Sequence, residues 1–448
     1  MQTFEQVIQW FLDLGAAVML PIVFIFVGLF FRVPLAKALK SALTIGIGFI
    51  GLNLVIGLLT SNLSPAAEAM VQNFNLSMEV VDVGWPAASA IAYGTFLGSL
   101  AIIVGIGVNA LLLLFGLTKT LNVDIWNFWH IAFIGSLVYA ATNNFALGIF
   151  TMITFSMMTY YLGDKSAVYV QKYFGLENMS FPHGQSLAGF VLAVPMNWLF
   201  ERIPGLNKLK LDPDTVEKRF GIFGDNTVIG FIIGVVIGIL ASYDIGDILY
   251  LGVATGAVMM LLPRMVSLLM EGLTPISDAA SKWVKDRFPG RNLFIGMDSA
   301  LAVGHPTVLA ASILLVPITL LLAVILPGNT TLPLGDLATI PFMIALMVPV
   351  FKGDLLRSVL GGGIMMGLAL YISSWATPLI TESAVAANFD LAGNALITVL
   401  SDGGIWPTFV FTSAADLLGW IGIGIIFVIV VILFIFEKRR MSRELPNE

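Results

Sequence analysis

The chain has no cysteine among its 448 residues, which excludes disulfides, thiolate metal sites and a cysteine nucleophile. Charge is scarce as well. Asp, Glu, Lys and Arg make up 11% of the chain, against about 25% in an ordinary soluble domain. With 58% hydrophobic residues, a water-soluble fold would have little with which to cover its surface, so the composition calls for a polytopic membrane protein. Only three histidines occur, which leaves little for a metal centre, and no metal or cofactor is implied. Neither G-x-x-x-x-G-K-[ST] nor H-E-x-x-H occurs, so a nucleotide-driven pump and a zinc metalloprotease lack support. G-x-S-x-G is missing too. Glycine runs such as LLGWIGIGI are helix-packing surfaces, not phosphate loops. No nucleic-acid partner is expected.

What the chain has in abundance is apolar length. Crossing the hydrocarbon core takes about 20 apolar residues in a helix. On that measure we expect an all-α membrane protein of about eleven crossings in a single domain spanning 1–448. The first half, 10–200, contains runs at 10–31, 41–60, 87–117 and 128–162, the last broken near Thr142-Asn143-Asn144 into two crossings. A polar interval, 61–86, separates the second run from the third. The half closes on 181–200, where Pro182-His183-Gly184 lies just inside an apolar run, and this stretch reads as re-entrant. A charged loop, 201–219, follows. The second half, 222–375, holds crossings at 222–242, 247–262, 306–326, 337–351 and 355–375. It also holds an amphipathic segment at 264–291 and a second re-entrant candidate at 294–305. A final helix spans 418–436.

The signs of the charges are segregated along this map. All 22 Lys and Arg residues fall on alternate connections, from Arg32 to Arg443. The other connections carry acids only, including Glu68, Asp82, Asp244, Asp336, Glu382, Asp390, Asp402 and Asp416. The positive-inside rule then puts the N-terminus outside and the C-terminus in the cytoplasm.

Ionisable groups in apolar sequence mark the candidate site. The stretch 292–305, NLFIGMDSALAVGH, carries Asp298 and His305. Its counterpart 179–186, MSFPHGQS, carries His183 and Gly184. An ionisable residue at membrane depth costs roughly 2.5–3.5 kcal/mol on insertion scales, so it usually has a partner or a job. Paired interrupted segments point to a transporter's binding site. Asp298 can accept hydrogen bonds from a polar solute or act as a base; the bland alternative is a cap for a short helix over 300–302. His183, between proline and glycine, suits a turn that exposes its ring. His305, before Pro306, ends an extended segment and can bind solute or orient Asp298. His130 in NVDIWNFWH is a candidate, although its tryptophans also suit an interfacial belt. Trp85 in VVDVGWP can stack on a carbon skeleton or belong to such a belt. Asp336 resembles a helix N-cap.

Eight motifs taken together, VVDVGWP, NVDIWNFWH, FPHG, IPGLNKLK, KRFGIFGDN, EGLTPI, IGMDSALAVGH and PGNTTLPLGDLATIPF, run in order along the chain. This combination resembles the galactitol-type membrane component (EIIC) of the bacterial phosphoenolpyruvate-dependent sugar phosphotransferase system, and more distantly the ascorbate-transporting EIIC. The resemblance implies inverted repeats with two re-entrant hairpins, and a core transport domain that moves, elevator-like, against a dimer-forming scaffold. It also implies a homodimer in the lipid bilayer. By carry-over, Asp82, Gly84, Trp85, His130, His183, Gly184 and Asp298 would line the site. Gly84, Trp85 and Ile134 stand where the ascorbate type has polar residues, which fits a different substrate.

The mechanism so implied is binding of a polyol outside, inward translocation, and phosphorylation by a separate EIIB that carries phosphate on a cysteine and is served in turn by EIIA. The lack of cysteine here agrees with the phosphoryl carrier being another chain. Either Asp298 or His183 can take the proton from the attacking hydroxyl. Two other functions fit the residues: a cation-coupled polyol or sugar carrier without phosphorylation, with Asp298 as the proton site, and an intramembrane hydrolase using His183 and Asp298.

Overall fold

The computed structural model describes residues 16–74, 80–122, 124, 126–204, 226–287, 293–303, 305–387, 389, 391 and 396–444. The loop positions from 205 on, including Lys208, lie outside the described residues, as do Asp390 and Arg291. The chain is mostly helical, and five helices in the described residues are long and apolar enough to cross a bilayer: Phe96–Leu114, Phe145–Phe174, Pro306–Ile325, Leu355–Ala386 and Trp420–Arg439. Shorter apolar helical stretches lie at Gly230–Leu240 and Ile245–Leu261.

Local chemistry explains several boundaries. Asn143 takes the left-handed conformation (φ 48°) and ends the helix Asn127–Thr142. Asn144 then caps the next helix, Phe145–Phe174, by accepting from Leu147 N–H, and Gly175 at φ 70° terminates it. The expected break at 142–144 is therefore present.

Other boundaries differ from the hydropathy map. The interval 61–86 is largely helical, because Leu35–Phe74 is one 40-residue helix. The amphipathic segment from 264 is no separate element; it continues the 43-residue helix Ile245–Arg287. The run 337–351 is a 3-10 turn and two short helices, Leu337–Thr339, Ile340–Ile344 and Met347–Val350, mostly buried and punctuated by Pro341 and Pro349. The stretch after 375 is no loop, since the helix beginning at Leu355 runs to Ala386.

The fold is also not purely helical. Among the described residues, six strands of two or three residues form two parallel sheets. One has the order β5 (Thr331–Leu332), β1 (Val80–Asp82), β6 (Ile397–Thr398); the other has β2 (Thr120–Asn122), β4 (Phe294–Gly296), β3 (Met179–Ser180). In register, Val81 faces Leu332 and Ile397, and Ile295 faces Leu121 and Met179. Strands this short have little intrinsic stability, so buried carboxylates tie them. Asp82 accepts from the N–H groups of Gly84 (3.0 Å), Asp336 (2.8 Å) and Leu400 (3.0 Å), one from each strand's exit. Asp336 accepts from the N–H groups of Trp85 and Ser401, both at 2.7 Å, and from the Thr339 hydroxyl. It sits at a helix N-cap position, yet two of its three bonds go to other strands' exits. Asp164 does the same for β2, holding Thr118, Lys119 and Thr120.

Helices Ala16–Phe30, Leu35–Phe74, Asn226–Leu240 and Ile245–Arg287 pack chiefly on one another. Gly230 and Gly234 allow the close approach. A Cβ at Gly234 would come within 2.8 Å of the Gly252 Cα, so the two backbones touch where side chains normally intervene. The remaining helices surround the two sheets.

Candidate functional site

The two sheets point their C-terminal ends at one cavity. Five of the six strands supply its walls. Trp85 follows β1; Trp126 and Trp129 follow β2; His183 and Gln185 follow β3; Asp298 and Ala300 follow β4; Thr339 and Phe342 follow β5. Trp85 stands in the first turn of Gly84–Gly94, Gln185 in that of Gly184–Phe200, and Trp126 at the N-cap of Asn127–Thr142, so the positive ends of three helix dipoles converge here.

One wall is aromatic. The Trp85 ring meets Trp126 edge-on at 6.0 Å and lies tilted to Trp129 at 6.4 Å. Trp126 and Trp129 are 3% and 2% exposed, which rules out the interfacial-belt expectation for these two. A second part of the lining is polar. His183 Nε2 lies 3.6 Å from Asp298 Oδ1. His183 is the N-cap of Gly184–Phe200, and its Nδ1 accepts from Ser186 N–H. The same Nδ1 lies 3.1 Å from the Ser186 hydroxyl, so this face of the ring is held by Ser186 while Nε2 faces Asp298. Asp298 also accepts from Ala300 N–H at 2.9 Å, so it caps the short helix Ala300–Val303 while lining the cavity. Its own N–H donates to Asp124, which also holds Trp126 N–H; Asp124 thereby fixes one residue of each wall.

Of the residues expected from sequence, Trp85, His183 and Asp298 meet at this cavity. His130 is fully buried behind the wall, its ring 4.4 Å from His183 and 4.3 Å from Trp129. Gly184 packs on it: a Cβ there would fall 2.9 Å from His130 Cβ. Asp82 and Gly84 sit in the β1–β5–β6 junction and are not among the lining residues. Gly84, at φ 80°, is pressed against Gly335. His305 caps Pro306–Ile325 through Thr307 N–H, its ring against Tyr173 and Phe174, and it too is absent from the lining.

Gln185, Thr339 and Phe342 carry no signal of their own in the sequence, Trp126 and Trp129 only that of a belt, and Asp402 reads as an acid on an external connection. It is instead fully buried, bonded to His130 Nδ1 at 2.6 Å and to Gln185 Nε2 at 2.5 Å. Its setting, SDGG between apolar runs, carries the same signal as Asp298: an acid in a glycine-rich interruption.

Comparison with known proteins gives a consistent picture. The family described as EIIC-GAT, PTS system sugar-specific permease component, matches residues 10–394. The PTS system galactitol-specific EIIC component of Escherichia coli (strain K12) is 40% identical over 427 residues, covering 95% of this chain and 94% of that protein. A putative permease IIC component of the same strain is 38% identical over 437 residues, covering 97% of this chain and all of that protein.

Proposed function

This chain belongs to the family of PTS sugar-specific permease components, and on that premise we propose that it binds galactitol, or a closely related open-chain polyol, in the cavity between the two sheets. The observation that carries the reading is the composition of the lining: three tryptophans share one cavity with His183, Gln185 and Asp298. A polyol has an apolar carbon edge and a hydroxyl at every carbon, and such a site meets both. Neutral hydrogen bonds contribute about 0.5–1.5 kcal/mol each and those to charged groups about 1.5–3, so several together reach micromolar affinity.

The polyol then moves inward and is phosphorylated by a separate EIIB. The hydroxyl oxygen attacks phosphorus, the S–P bond of the phosphocysteine breaks, and the hydroxyl proton passes to a base. Asp298 fits that role better than His183, whose Nδ1 is engaged by Ser186 and whose Nε2 faces the Asp298 carboxylate.

The element order supports inverted repeats. Exchanging each strand for the one three places on in sequence converts the sheet order β5-β1-β6 into β2-β4-β3. The first repeat then ends with Gly184–Phe200 and the second with Trp406–Leu418, leaving Trp420–Glu444 as the final helix. This pairs 181–200 with 397–418 in place of the expected 294–305. The four mutually packed helices form the dimerising scaffold, and the part holding both sheets moves against it as an elevator, with the N-terminus outside and the C-terminus cytoplasmic. The test uses purified protein in liposomes with phosphorylated EIIB inside. Galactitol added outside should appear inside only as a phosphate ester. Accumulation of unmodified galactitol driven by a proton gradient would overturn the phosphotransferase mechanism.

A further inference from the structure

Behind the polar wall, Asp402 holds two side chains at once. Its Oδ1 meets His130 Nδ1 at 2.6 Å and its Oδ2 meets Gln185 Nε2 at 2.5 Å. All three residues are at least 98% buried. A carboxylate only accepts, so each partner must turn a donor toward it. The far end of each partner is then fixed as an acceptor: the lone pair on His130 Nε2 and the carbonyl Oε1 of Gln185. Both of these atoms are buried without a hydrogen-bond partner. Two unpartnered buried acceptors on one anion are an unusual cost for a fold to carry, because a buried polar group left unbonded costs about 1–3 kcal/mol. One of them belongs to a residue that lines the cavity.

We infer that Asp402 is a positioning residue that sets the hydrogen-bond polarity of the polar wall, so that Gln185 presents an acceptor and selects a solute bearing a hydroxyl donor there. A carbonyl, an ether oxygen or a fluorine at that position supplies no proton and leaves Gln185 Oε1 unbonded. This inference rests on the polyol occupying the cavity, but the polarity itself is a property of the empty protein and can be read without any ligand.

The first measurement is the histidine nitrogen spectrum of the full-length wild-type protein in detergent, with ¹⁵N-histidine label. Three histidines make it assignable, using His305→Asn to identify one of them. His130 is expected as the neutral Nδ1–H tautomer at neutral pH. An Nε2–H or doubly protonated ring would overturn the inference without any variant. The second measurement is calorimetric binding of galactitol and its mono-deoxy and mono-deoxyfluoro analogues. In the wild type, at the carbon facing Gln185, fluorine and hydrogen should weaken binding equally, since neither donates. In Asp402→Asn, the amide offers one acceptor and one donor, so at least one partner must invert. Either His130 changes to Nε2–H, or Gln185 turns its amide outward and the fluoro analogue gains over the deoxy by about 2-fold, the low end for a neutral bond because carbon-bound fluorine is a weak acceptor. A loss shared equally by all ligands, with the His130 tautomer unchanged, would mark Asp402 as merely structural. A wild-type protein with the expected tautomer but no affinity for any polyol would instead overturn the proposed substrate and leave the polarity standing.

Discussion

Asp298→Asn separates binding from chemistry at the centre of the cavity. Asp298 Oδ1 is occupied: it accepts from Ala300 N–H at 2.9 Å and faces His183 Nε2 at 3.6 Å. The second oxygen is therefore the one available to solute. Asparagine can keep its amide oxygen in the first position, and it caps helices about as well as aspartate, so the fold should tolerate the change. What alters is the second position, from a charged acceptor to a neutral donor. Polyol hydroxyls can still accept from it, so part of the bond survives. The lost charge-assisted share is about 1–2 kcal/mol, or roughly 5–30-fold in affinity. Catalysis should suffer more, because an amide cannot take the proton of the attacking hydroxyl, and a general base contributes about 10²–10⁴-fold. The assay pairs calorimetric galactitol binding with EIIB-dependent phosphorylation on one purified preparation. A phosphorylation rate that falls no further than occupancy of the site does would refute Asp298 as the base. Wild-type values for both would remove it from the site.

Three other outcomes follow from the structure. Replacing Asp82 with alanine would strand three buried N–H donors at about 1–3 kcal/mol each, so the variant should fail to reach the membrane in folded form, as read by size-exclusion chromatography of detergent extracts; a normal monodisperse yield would contradict its tying role. The Lys352 hydrogen bond holds the exposed Glu201 carboxyl below its usual range. A depressed carboxylate pKa stabilises the fold above the unfolded value and loses that effect as pH falls through the folded one. Lys352→Ala should therefore flatten the acid side of the melting curve against pH and leave the small difference at neutral pH, whereas an altered alkaline side would contradict the assignment. For topology, single cysteines at Glu382 and Lys438 in this cysteine-free chain should react with an impermeant thiol reagent on intact cells at the first position only, and labelling at 438 would invert the map.

Much of the fold was readable where local chemistry decides. Asn143 and Asn144 end one helix and cap the next, and the sequence marks that break by itself. Hydropathy also found the apolar stretches, but it measures length and cannot see a helix continuing past the membrane, as Leu35–Phe74 and Ile245–Arg287 do. The sheets were invisible because each strand has two or three residues and its partners lie up to 316 positions away, as Ile397 does from Val81 and Thr398 from Asp82 in the β1–β6 ladder. Asp336 reads as a helix N-cap and Asp82 as a lining residue by carry-over, since nothing local shows that their carboxylates bond backbone at the exits of several strands. In the site, Asp298 and His183 stood out as ionisable groups in apolar sequence. Trp126 and Trp129 carried an ambiguous signal, because tryptophan near a helix start suits a belt as well as a cavity. Asp402 was missed through its assignment to a connection between crossings. The segment 397–418 in fact dips into the core, and the rule that drew attention to Asp298 applies equally to it.

The most direct test of the central claim, that a polyol occupies the cavity between the sheets, uses the absence of native thiols. Ala300 lines the cavity and is exposed, so Ala300→Cys places a single reactive group at the site with little change in volume. The rate of its alkylation by a small maleimide is measured across a galactitol titration, alongside calorimetric binding to the same variant. The account predicts saturable protection with a midpoint equal to the calorimetric Kd, and no protection by a non-binding sugar. Galactitol that binds the variant yet leaves the alkylation rate unchanged at saturation would place the substrate elsewhere.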